Sequence, residues 1–257
     1  MKPHVWKIGI AALLITLALG HQAASQNPDS SWKPLYQPTG NEVVLEGTIS
    51  INGVVPSPKK IDMSADSICV QLNKDPIWQP ILVNGDKLQN VLVFIKKGDP
   101  LEVYRFEQPN SDAQLEHRDC EYLPHILGMR VGQHLVINNR DVTQHNTHPT
   151  PRSNPEWNQS QPANSEPLVK SFARAEVAIP FKDNQHPWER AYVAVLDHPF
   201  FAVTDAFGNF QIRGLPPGTY TLVAWHETLA QQDVEITLVP GEIRKIDFTF
   251  KPVVLKP

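Results

Sequence analysis

The sequence predicts an all-β protein of sandwich architecture, and three observations predict it. Apolar and polar residues alternate with period two through segment after segment. Proline is frequent, 24 residues in 257, which works against long helices. The alternating runs are short and separated by turn-forming residues, the spacing expected of β-sandwiches. Hydrophobic residues make up 41% and charged residues 19%, a balance that can bury a core and argues against disorder.

The first 25 residues read as a secretion signal. Lys2 and Lys7 flank the start of an apolar run, Ile8 to Leu19, and Ala23 and Ser25 offer small positions before a cut. A bilayer span needs about 20 apolar residues, so a cleaved signal is expected in place of a retained anchor. No cysteine precedes Cys69, which removes a lipid-modified anchor from consideration. The expected location is periplasmic or secreted, with no membrane span. Residues 26–41 form a polar, proline-rich leader. In VVLEGTISI, Val43, Leu45, Ile49 and Ile51 share a face opposite Glu46, Thr48 and Ser50. Further strands are expected at 90–96, 104–107, 133–138, 175–181 and 191–196, then at 201–205, 208–213, 218–227, 233–239 and 244–250. Helical turns are hinted at only in ADSICVQLN and around 168–173. The segment Thr147–Pro167 holds five prolines without periodicity and reads as a long loop.

Charge and cysteine content exclude several functions. With 23 basic and 27 acidic residues there is no basic excess to bind nucleic acid. Two cysteines cannot build an iron–sulfur site or a dense disulfide scaffold. In an oxidising compartment one Cys69–Cys120 bridge is expected, two free buried thiols being the alternative.

Two stretches carry chemistry. INNRDVTQHNTHP holds His145 and His148 just after a strand. IPFKDNQHPWERAYVAV holds Asp183, His186 and Glu189 between two strands. Strands fix the ends of such a turn, so side chains spaced by three can be brought to one interior.

These stretches resemble the ligand segments of the cupredoxins, small blue-copper proteins, most closely the amicyanin/plastocyanin-like group. There the upstream histidine lies in HN-x-H, and the downstream loop reads Cys-x-x-His-Pro-x-Met. The resemblance places the two histidine ligands at His145 and His186, the family cysteine at Asp183 and the family methionine at Glu189. GTISINGVVPSPKKIDMSAD, CEYLPHILGMRVGQ and DHPFFAVTDAFGNF extend the likeness to secreted bacterial proteins in which a cupredoxin-like domain precedes a carboxypeptidase-regulatory or transthyretin-like one. It implies a cupredoxin-like sandwich at 42–196 and a smaller transthyretin-like sandwich at 197–250. In the second, AVTDAFGNFQIRGLPPGTYTLVAWHE places a hairpin at Asp205–Gly208 and a Tyr220 hydroxyl seeking a backbone partner.

The departures decide the chemistry. A blue-copper centre needs a copper–thiolate bond and a weak axial thioether. Asp183 and Glu189 offer oxygen instead, so a competent blue-copper electron carrier is not expected. Two imidazoles and two carboxylates suit a single non-blue divalent ion, copper(II) or zinc. The alternative is a degenerate site in which His145 and His186 serve packing and the carboxylates are solvated. His148 is expected outside the ligand set, His125 on a backbone carbonyl, and His198 and His226 in hydrogen bonds between domains. Trp188 is expected to cover the loop by packing. No nucleophile elbow, phosphate loop, zinc-protease helix or haem-attachment motif occurs, so no enzyme is expected. The reading from another class is a metal-free cell-surface interaction or carbohydrate-binding module. The partner, on the periplasmic side or the surface, is not legible.

Overall fold

The computed structural model describes residues 32–252. The signal segment lies outside these residues, as do residues 26–31 of the leader. The described residues are all-β, with two short helices among them, Ser67–Leu72 and Asp99–Val103. No helix among the described residues is long and apolar enough to cross a membrane.

Four main sheets pack in two pairs. In the first pair, the strand Val43–Ile51 lies at the centre of one sheet. It runs antiparallel to Asn209–Leu215 and parallel to Ile243–Lys245 and Phe248–Phe250. Its burial alternates strictly, with Val43, Leu45, Ile49 and Ile51 inward as the sequence predicts. Gly47 takes the same parity, because a Cβ there would lie 1.7 Å from the Ile246 carbonyl oxygen. The facing sheet is built on Leu92–Gly98, which pairs with Phe201–Val203 and Gly218–Trp225. Val93, Ile95, Tyr220, Leu222 and Ala224 fill the core between the two. The Tyr220 hydroxyl donates to the Pro216 carbonyl at 2.7 Å.

In the second pair, Ala113–Arg118 lies beside Leu135–Asn139. Opposite them, Glu176–Lys182 is flanked by Arg190–Leu196 and His145–Pro149. Leu115, Leu135, Ile137, Ile179, Phe181, Val193 and Val195 close this core. A third apolar layer joins the pairs: Leu92, Phe94 and Val223 meet Ile126, Ala194 and Leu196. The run LVFI in Leu92–Gly98 is therefore buried on both faces and has no alternation to show.

Hydrogen bonding and packing cross the linear division at 196/197. Val43–Ile51 and Leu92–Gly98 belong by pairing to the sheets of residues 201–250, whereas the second core is drawn from residues 113–195. Period-two alternation identifies strands but not their distant partners, hence the difference. Three local expectations also change. Thr147–Pro167 contains the end of one strand and a second, Gln159–Gln161, paired with His145–Thr147. The helical hint near 168 is a strand, Leu168–Lys170. Residues 104–107 follow a helix and contribute only an isolated bridge, Leu35 to Arg105. The helical turn in ADSICVQLN forms as Ser67–Leu72, capped by Asp66.

Candidate metal centre

Strand parity and one tight turn build the cluster. Phe181 is buried on the strand Glu176–Lys182, and Asp183, two residues on, keeps its inward parity. Glu189 has the parity of the buried Ala191 and Val193 on the next strand. Between them, Asp183 Oδ1 accepts from the backbone N–H groups of Gln185 (2.7 Å) and His186 (3.0 Å), and Glu189 N–H donates to the His186 carbonyl at 2.9 Å. The aspartate thus folds its own turn, as Asx side chains do. Its other oxygen, Oδ2, remains for the interior, where Asn146 N–H reaches it at 2.9 Å. His145 opens the strand His145–Pro149 and is fully buried beside Thr147.

Four side chains converge on one point. His145 Nδ1 lies 3.1 Å from Asp183 Oδ2, 2.9 Å from Glu189 Oε1 and 3.1 Å from His186 Nδ1. His186 Nδ1 lies 3.1 Å from Asp183 Oδ2 and 3.5 Å from Glu189 Oε1. Around a tetrahedral ion with bonds of about 2.0–2.1 Å, neighbouring donors are about 3.3 Å apart. All five separations fall around that value. Asp183, His186 and Glu189 are at most 3% exposed, so water does little to separate these groups.

The outer face of each ring is also held. His145 Nε2 meets Asp141 Oδ2 at 3.0 Å, and His186 Nε2 meets Asp66 Oδ2 at 3.1 Å. Burial would raise both carboxyl pKa values. Hydrogen bonds to Asp141 from His145 and the Cys120 and Asp119 amides, and to Asp66 from Thr143 and the Ile68 amide, outweigh it and hold both low. An ionised carboxylate only accepts, which assigns the proton on each ring to Nε2. In the neutral tautomer both Nδ1 atoms then present lone pairs inward, beside the carboxylate oxygens. Glu189 Oε1 is buried there without a hydrogen-bond donor.

Charge can be balanced by extra protons or by a cation. Burial lowers the His145 pKa, but Asp141, Asp183 and Glu189 outweigh it and push the value up to about 11. His186 is raised too, against burial, chiefly by Asp183. Asp183 is held far below the ordinary carboxylate range by both histidines and the Asn146 and His186 amides, again against burial. Protonating both rings would place two imidazolium N–H groups 3.1 Å apart. The other arrangement is a divalent cation, which His145 Nδ1, His186 Nδ1, Asp183 Oδ2 and Glu189 Oε1 could hold between them.

The structure therefore brings together His145, His186, Asp183 and Glu189, and adds residues the sequence reading missed. His117 Nδ1 meets Glu189 Oε2 at 2.7 Å, and its Nε2 meets Thr147 Oγ1 at 3.0 Å. His117, His145, Asp183 and Glu189 each offer a donor atom within 4.8 Å of the others. The short bond to Oε2 makes His117 the group that orients Glu189. Its ring is stacked on His145 at 4.4 Å. His117 shares the inward parity of Ala113 and Leu115, the signal that a strand reading of AQLEHR would have supplied. Asp66 and Asp141 carry no comparable local signal.

The expected Cys69–Cys120 disulfide is present. Trp188 covers it, donating to the Cys120 carbonyl at 3.1 Å. His148 lies outside the cluster, on Asn184 and Glu156. His125 meets the Arg190 carbonyl and Glu227.

Residues 182–251 match the family described as carboxypeptidase regulatory-like domain. That match begins within the strand preceding Asp183 and takes in the turn of the cluster. No curated protein matches the chain in sequence. Solved structures similar to it include a purple cupredoxin from Nitrosopumilus maritimus, at 21% identity over 33% of this chain and 99% of that one, with a TM-score of 0.29. An oxidised mutant of amicyanin matches at 21% identity over 35% of this chain and 86% of that one, TM-score 0.29. A copper-containing nitrite reductase from Thermus scotoductus matches at 14% identity and TM-score 0.30, over 33% of this chain and only 22% of the reductase. At this similarity, shared ligands do not follow.

Proposed function

We propose that the protein is an exported, cupredoxin-like metal-binding protein with a non-blue site, and not a blue-copper electron carrier. His145 and His186 supply nitrogen, and Asp183 and Glu189 supply oxygen. Two borderline and two hard donors suit copper(II) or zinc, whereas magnesium and calcium prefer oxygen throughout. The observation that carries this reading is the inward convergence of four acceptor atoms while both Nε2 atoms are occupied by carboxylates. Histidines that bind metals are held in this way, with the distal N–H on a carboxylate. A bound ion would cancel the buried negative charge and fix both rings. The chain's own groups hold and orient, which supports a binding role.

Metal analysis tests this on untagged protein, purified as exported and then exchanged against copper(II) or zinc. Close to one ion per chain is expected. A content that stays far below one after exchange overturns the reading.

A further inference from the structure

We propose that the Cys69–Cys120 disulfide is a positioning element of this centre, setting metal affinity through the two carboxylates that hold the histidine rings. The proposal rests on the metal-binding reading and extends it to a residue pair outside the four donors, each sulfur lying within 4.8 Å of a ring nitrogen of His186 or His145.

The two arms are built alike. On one, Asp141 holds His145 Nε2 and accepts from consecutive backbone amides: Asp119 N–H on Oδ1 and Cys120 N–H on Oδ2, both at 2.8 Å. Those amides can converge because Asp119 and Cys120 sit at φ 56° and 57°, left-handed positions that cost energy for non-glycine residues. On the other, Asp66 holds His186 Nε2, while its Oδ1 accepts from the amides of Ile68 (2.7 Å) and Cys69 (3.4 Å). Thr143 Oγ1 adds a bond to Oδ2 at 2.8 Å. Each cysteine therefore donates its own N–H to the carboxylate that orients one ring. The sulfur–sulfur bond joins the arms across 51 residues of sequence.

Neither arm is rigid by itself. The helix Ser67–Leu72 has six residues, below the length at which helices persist alone. The Asp119–Cys120 turn is the two-residue loop between Ala113–Arg118 and Glu121–Leu123, with a cysteine at a positive φ that hairpin turns usually give to glycine. The covalent link fixes the separation of these segments, and with it the positions of Asp66 and Asp141. If a carboxylate drifts, its ring is no longer held with Nδ1 aimed at the other donors, and that orientation must be restored before an ion can bind. Both cysteines are fully buried beneath Trp188, so the bridge acts as a permanent brace.

The test compares wild type, the Cys69→Ala/Cys120→Ala pair, and Leu238→Ala, a cavity control in the other core. Zinc affinity is measured by calorimetry, and histidine ring nitrogen shifts are recorded on the metal-free proteins at one fixed pH. The cysteine pair should keep the far-UV spectrum and lose about 10–100-fold in zinc affinity, the usual consequence of disturbing groups that orient ligands. The His145 and His186 ring nitrogen shifts should move from their wild-type positions while those of His198 and His226 stay in place. Leu238→Ala should retain wild-type affinity. A folded cysteine pair with unchanged affinity and unchanged rings overturns the proposal, as does an equal affinity loss in Leu238→Ala. If wild type takes up no zinc, the metal reading fails and the claim on affinity falls with it, a result distinct from zinc binding that the cysteine pair leaves unchanged. Should the alanine pair not fold, the better-filled pair Cys69→Val/Cys120→Ala replaces it; if that also fails, the bridge serves the whole fold and the proposal is rejected.

Discussion

Buried histidines occur in both sandwiches, and they behave in opposite ways. His198 and His226 lie near the strands of the C-terminal sandwich, 5% and 2% exposed, and burial depresses each to a pKa of about 4. His198 is satisfied as a neutral ring: Nε2 bonds the Ile95 carbonyl at 2.8 Å and Nδ1 accepts from the Phe200 amide at 3.2 Å. His145 is buried as deeply, yet its pKa is raised to about 11 against the pull of burial, because carboxylates face both its nitrogens. Burial alone makes a histidine a neutral packing group. Carboxylates on both sides make it a cation or a metal ligand. The residue type cannot distinguish these cases; its partners do.

Removing a ring from each region should sharpen that contrast most. His186→Ala deletes an inner donor and should lower zinc affinity by more than about 100-fold, beyond the usual 10–100-fold effect of losing an outer partner. His226→Leu should leave affinity within about 2-fold, being in another part of the molecule. Isothermal titration on both variants checks this; equal losses would dissolve the distinction between the regions.

A second change tests the register of the loop. Asp183→Cys with Glu189→Met should restore a thiolate and a thioether beside His145 and His186, and copper(II) should then give the intense visible absorption of a blue site. Wild type loaded with copper(II) should show only weak colour. A folded double variant that binds copper and stays pale would mean that these two positions do not face the ion.

Much of this arrangement was legible before any coordinates. Strict alternation in VVLEGTISI gave the correct inward face, and the three-and-three spacing of Asp183, His186 and Glu189 pointed to one interior, where the structure puts all three. His117 was missed because AQLEHR alternates over only six residues and two of its three inward positions are alanine and histidine, so its apolar face is weak. Asp66 and Asp141 were invisible for a different reason. They reach the cluster from positions 120 residues before His186 and four before His145, and only folding brings two such arms together. The line drawn at 196/197 does not mark the sheets for the same reason: β-pairing is non-local, and Val43–Ile51 finds its partners Asn209–Leu215, Ile243–Lys245 and Phe248–Phe250 some 160 residues or more later in the chain.

The smallest effect concerns acid stability of the metal-free protein, and its sign differs between the regions. His226 has a folded-state pKa of about 4, below the unfolded value of about 6.5. The unfolded chain therefore binds more protons between those values. Stability from the neutral ring is present above pH 6.5, is lost as pH falls toward 4, and changes no further below that. Glu227 and His125, the charged groups acting on His226, partly offset each other. His145, raised to about 11, works the other way: its contribution is complete below pH 6.5 and is lost as pH climbs toward 11. The shift at His226 corresponds to roughly 3 kcal/mol at most between pH 7 and 4. Chemical denaturation across that range should show wild type losing about that much more stability than His226→Leu, with the two curves converging in slope below pH 4. Parallel curves from pH 7 to 4 would show that His226 is not held neutral, and the contrast between the two kinds of buried histidine would fail at its simpler end.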